Sequence, residues 1–111
     1  HLVQRFPTRR SSDFVIYPYE IPSIEFTKRP HKLYVHVLAP RYRVELLNIG
    51  NQLKGAYVVS TGEKLPCRAL KCCEGNSMIE VELPEKLQGA KNYCVCLELE
   101  EEEPIFEAII D

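Results

Sequence analysis

The chain of 111 residues contains no tryptophan. That removes the largest aromatic side chain, which sugar-binding platforms favour. Neither sign of charge dominates: 14 Lys and Arg stand against 16 Asp and Glu, a formal net charge of -2. A nucleic-acid binder would carry a basic patch and a high isoelectric point, so no nucleic-acid partner is expected. No apolar run is long enough to cross a bilayer, and no membrane partner is expected. No glycine-rich phosphate loop occurs, and no solenoid repeat is visible. No charged-then-apolar leader opens the chain at His1; the expectation is that the native start lies upstream.

With 45% hydrophobic and 27% charged residues, the composition supports one domain with a core and argues against disorder. The organising stretch is Lys32-Leu33-Tyr34-Val35-His36-Val37-Leu38. Leu33, Val35 and Val37 alternate with Lys32, Tyr34 and His36. That period of two makes a strand with one face in a core. Ser77–Leu83 repeats the pattern, with Ile79, Val81 and Leu83 inward and Met78, Glu80 and Glu82 outward. In Tyr93–Leu99, Tyr93, Val95, Leu97 and Leu99 share one face. Cys94 and Cys96 lie on the other, where cysteine acts as a small apolar residue, so both faces of this strand are expected to be covered.

Shorter strands are expected at Ser23–Lys28, Arg43–Leu47 and Leu53–Val59. Lys64–Leu70 carries Pro66, which marks an edge or bulged strand. Turns fall at Arg29-Pro30-His31, Asn48–Asn51 and Glu74–Asn76, and at Ser60–Glu63, where Gly62 supplies a positive φ. Leu87–Asn92 reads as a loop. Phe14–Pro22, with Pro18 and Pro22, is an extended entry segment or edge strand. Its Tyr17 and Tyr19 are expected to pack the linker onto its neighbour rather than to stack on sugar. Together these runs predict an all-β fold: an antiparallel two-sheet β-sandwich, Greek-key-like, of about seven to eight strands. The domain spans 23–103, after a non-native or disordered segment at 1–13 and a linker at 14–22, and before a C-terminal tail at 104–111.

Candidate chemistry is sparse. His31 and His36 are five apart, on opposite faces of a strand, which disfavours a two-histidine metal site. The cysteines Cys67, Cys72, Cys73, Cys94 and Cys96 lack the paired C-x₂-C knuckles of structural zinc, and no cofactor is expected. Cys94 and Cys96 stand about 6.6 Å apart along a strand, near the upper limit for a disulfide. All are read as reduced, which favours a cytoplasmic location; a bridge from Cys67 to Cys94 or Cys96 stays open. Glu80, Glu82, Glu85 and Glu98 offer the carboxylates of a glycosidase pair, but their alternation with apolar residues places them on a solvated outer face. Arg41, Tyr42 and Arg43 form a small basic aromatic tip, read as a solvated turn. No catalytic residue is assigned.

Five pieces, in this order, resemble the C-terminal β-sandwich of α-L-fucosidases of glycoside hydrolase family 29. They are Phe26–Val37, Lys54–Val59, Gly62–Leu65, Ile79–Lys86 and Val95–Leu99. The resemblance implies that a (β/α)₈ barrel precedes the sandwich in the same polypeptide and removes terminal L-fucose with retention, so that fucosylated glycan is an indirect partner and the chain alone is non-catalytic. The chain departs from the family in its cysteines, in Gly89-Ala90-Lys91-Asn92 where an Asp-Pro element is missing, and in Phe6–Asp13. That last run resembles a translated sequencing adapter and suggests a metagenomic fragment. The alternatives are a stand-alone carbohydrate-binding module or an immunoglobulin-like interaction sandwich. Tyr34, Tyr42 and Tyr57 are the candidate carbohydrate or interdomain contacts.

Overall fold

The computed structural model describes residues 13–15, 17–19 and 21–108. The expectation for 1–13 therefore lies outside the described residues apart from Asp13, and that for the tail applies only as far as Ala108. Among the described residues eight strands run in chain order: β1 (Asp13–Val15), β2 (Ile24–Arg29), β3 (Lys32–Val37), β4 (Arg43–Leu47), β5 (Leu53–Val58), β6 (Cys67–Lys71), β7 (Ser77–Glu82) and β8 (Tyr93–Leu99). They form two antiparallel sheets, a larger one ordered β1-β2-β3-β8-β5 and a smaller one ordered β4-β7-β6. This is the expected two-layer sandwich. It is Greek-key-like in that the last strand, β8, returns to lie between β3 and β5.

Alternation decides which face each strand buries. Leu33, Val35, Val37, Val95, Leu97 and Leu99 of the larger sheet meet Val44, Leu46, Ile79 and Val81 of the smaller, and all of them are fully buried. β3 and β8 lie side by side at the centre of the larger sheet, with Val35 opposite Val95 and Leu33 opposite Leu97. Their β-branched and leucine side chains fill the gap between the layers, which is where apolar burial stabilises a sandwich.

Three local expectations are corrected. The run Lys64–Leu70 is not one strand. Lys64 bridges Tyr57 beside β5, whereas Cys67–Lys71 pairs with β7. Pro66, which has no N–H to donate, sits where the chain leaves one sheet for the other, and its carbonyl accepts the Glu82 N–H at 2.9 Å. Leu87–Asn92 is not wholly loop: Glu85–Gln88 forms a single helical turn, α1, entered from Pro84. One turn is too short to show a 3.6-residue period. Glu80 is not on a solvated face; it is only 7% exposed, for reasons given below.

The two flanks of the sandwich differ. On the β1–β2 side, Tyr17 packs against Phe26, Phe106 and Tyr19, with ring centroids 5.0, 5.7 and 5.6 Å away. The Tyr17 hydroxyl donates to the Leu47 carbonyl of β4, and the Tyr19 hydroxyl donates to the Glu107 carbonyl. Buried Asn51 holds the chain after β8 across one end of the fold. Its Nδ2 donates to Glu101 Oε1 and to the Glu103 carbonyl, both at 2.9 Å, and its Oδ1 accepts the Ile105 N–H at 2.7 Å. Gly50 lies beneath the Glu107 carboxylate, where a Cβ would collide. On the opposite flank a groove of about 500 Å³ runs between β5 and β6, with Gly55, Cys67 and Ala69 among its lining residues.

Candidate functional site

The outer face of the larger sheet holds Tyr34 and Tyr57. In the ladder, Tyr34 of β3 and Tyr57 of β5 both face Cys96 of β8, one from each side. Cys96 is fully buried and Tyr34 only 8% exposed. A small thiol between two large aromatics lets both rings cover it, so their area is spent within the sheet. The Tyr57 phenol shares a hydrogen bond with the Cys96 thiol. That bond, followed by burial, holds the phenol far above its ordinary pKa. Burial raises the Cys96 thiol in turn. Neither group is poised for acid–base or nucleophilic work near neutral pH.

One row along the same face, Glu25, His36 and Cys94 lie opposite one another. His36 Nε2 lies 2.8 Å from Thr27 Oγ1. Burial lowers the His36 pKa, and the Glu25 charge only partly offsets it. Burial also pushes the Cys94 thiol up to about 12. His31 sits in the β2–β3 turn at φ 65°, its Nδ1 3.2 Å from the Glu100 carbonyl. Among the described residues no group of three or more His, Cys, Asp or Glu side chains could hold a metal ion. Cys67, Cys72, Cys94 and Cys96 are free thiols. A bridge from Cys67 to Cys94 or Cys96 is not formed: β6 lies in the smaller sheet, while Cys94 and Cys96 point away from it on the outer face of the larger.

Tyr42 is elsewhere. It is 77% exposed, just before β4 at the rim of the smaller sheet. Its loop is pinned by Arg41, which donates from Nη1 to the Pro22 carbonyl at 3.1 Å and from Nε to the Arg43 carbonyl at 3.3 Å. Beside it, Glu80 is sandwiched between arginines from both neighbouring strands. Arg68 Nε on β6 donates to Glu80 Oε1 at 2.8 Å, and Arg43 Nη1 on β4 donates to Oε2 at 3.2 Å. Arg68 first, then Arg43, keeps the Glu80 carboxyl below the usual carboxylate range against the opposing effect of burial. These residues line an open concavity of about 350 Å³ together with Glu82, Leu83 and Gln88.

No family profile, curated protein or solved structure matches the chain. The structure thus separates the tyrosines singled out from sequence: Tyr34 and Tyr57 share one row, and Tyr42 stands on the other layer. The residues that sequence reading missed are Arg68 and Gln88. Arg68 had no signal of its own, because its place beside Glu80 depends on the β6–β7 register. The glutamates read as a possible acid pair are dispersed. Glu80 and Glu82 share β7, Glu85 belongs to α1, and Glu98 lies on β8 in the other sheet.

Proposed function

We propose that this chain is the C-terminal accessory β-sandwich of an α-L-fucosidase, packing on and supporting a catalytic (β/α)₈ barrel that hydrolyses terminal L-fucose. One observation carries the reading. The five resembling pieces coincide with the β2–β3 hairpin, β5, the turn and bridge after it, β7 running into α1, and β8. Those elements supply most of the fully buried side chains, so the likeness lies in the scaffold, where a supporting domain is specified. In this reading the chain contributes no nucleophile and no general acid; both belong to the barrel. The β5–β6 flank, with its open groove, is a surface for an adjoining domain to cover.

The test is the reading frame upstream of Phe14, together with an assay. An α-L-fucosidase barrel should precede the sandwich. The joined protein should cleave an aryl α-L-fucoside, and residues 1–111 alone should not. An upstream frame without a glycosidase barrel, or hydrolysis by the isolated chain, refutes the proposal.

A further inference from the structure

We propose that the concavity beside Tyr42 is a binding site for a neutral saccharide, a role separate from packing on a barrel. Saccharide recognition needs an apolar plate for the C–H face of the ring and fixed donors and acceptors for its hydroxyls. Pockets of this kind combine aromatic surface with a few placed polar groups. Among the described residues Tyr42 is the most exposed of the large hydrophobic side chains, and Arg41 fixes its loop through two backbone carbonyls. The plate is therefore displayed on a held backbone.

The polar groups are equally fixed. Glu80 orients both guanidiniums, Arg68 through Nε and Arg43 through Nη1. Each guanidinium carries five N–H donors in a rigid fork, so most of the donors remain for a ligand. Gln88 is oriented by its Nε2 donating to the Leu83 carbonyl at 3.1 Å, which leaves its Oε1 as an acceptor. Glu82, two residues from Glu80 and exposed, adds a carboxylate on the same face. The volume of about 350 Å³ falls at the small end of ligand pockets, roughly 300–1,000 Å³, and suits one or two sugar rings.

Charge selects the class. Arg43 and Arg68 face Glu80 and Glu82 in the lining, and Arg43 also lies 3.4 Å from Glu45 outside it. The two guanidiniums and two carboxylates of the lining balance, so an anion gains no net attraction, whereas hydroxyls can use both donors and acceptors. A surface ion-pair lattice alone would account for Arg43, Glu80 and Arg68 but not for the uncovered ring held next to them.

The experiment uses isotope-labelled chain 1–111 titrated with methyl α-L-fucoside, methyl β-D-galactoside and methyl β-D-glucoside and followed by amide chemical shifts. At least one glycoside should give saturable shifts centred on Tyr42, Arg68 and Gln88. Tyr42→Ala should weaken it roughly tenfold through loss of the ring contact, and Tyr42→Phe should retain binding. Inorganic sulfate should not compete. The proposal is overturned by the absence of saturable shifts with all the glycosides up to about 100 mM, far above a millimolar dissociation constant. It is equally overturned by shifts centred on Tyr34 and Tyr57, by Tyr42→Ala binding as well as the parent, or by displacement with sulfate. None of these outcomes depends on what lies upstream, so the accessory-domain reading and the saccharide site stand or fall separately.

Discussion

Asn51→Ala should loosen the end of the sandwich where the chain after β8 crosses the fold. The Asn51 side chain is 2% exposed and makes three hydrogen bonds, at 2.9, 2.9 and 2.7 Å, to Glu101, Glu103 and Ile105. A net intramolecular hydrogen bond contributes about 0.5–1.5 kcal/mol, and a buried partner left unsatisfied costs about 1–3 kcal/mol. Truncation removes all three and strands the Ile105 N–H and the Glu103 carbonyl in a part-buried place, so a loss of about 2–4 kcal/mol is expected. Against a total of roughly 5–15 kcal/mol for such a domain, this is a large fraction. Asn51→Asp keeps the acceptor for Ile105 but sets a second carboxylate against Glu101, so it should be no milder near neutral pH and should recover partly in acid. The assay is urea denaturation combined with amide hydrogen exchange. Ile105, Gly50 and Glu107 should lose protection first, because the Gly50 and Glu107 amides bond to Ile105 and Asn48 in the same strap. A change below about 0.5 kcal/mol, the usual range for inert surface substitutions, with Ile105 still protected, would refute this account of the strap.

Other outcomes can be checked on the same protein. Leu97→Ala, at a fully buried position in central β8, should cost about 2–5 kcal/mol by denaturation. His36 keeps its proton less readily when folded than its ordinary value near 6.5. The unfolded chain therefore binds the proton first, and stability should fall as pH drops below about 6.5, flattening below the lowered folded value. Glu25, Thr27 and Cys94 surround the ring, and His36→Gln should remove that part of the pH dependence. Cys94, raised to about 12 by burial, should resist iodoacetamide at about pH 8 while folded and react once the chain is unfolded, since only the thiolate attacks.

The alternation in Lys32–Val37, Ser77–Glu82 and Tyr93–Leu99 by itself determined that these stretches are strands and which side chains face a core. A period of two is a property of the local backbone and needs no knowledge of the partner strand. Gly62 likewise marked its turn, and its φ is 78°. Only the tertiary structure decided that β8 lies between β3 and β5, that the chain changes sheets at Pro66, and that Glu80 is covered by Arg43 and Arg68. It also decided that Tyr34 and Tyr57 close over Cys96 while Tyr42 stays open, and that Asn51, which reads as an ordinary turn residue, clamps Glu101, Glu103 and Ile105 from 50 to 54 positions away. Pairing and cross-strand register join residues far apart in sequence, and the hydrogen bonds and burial that select one pairing exist only once both partners are in place.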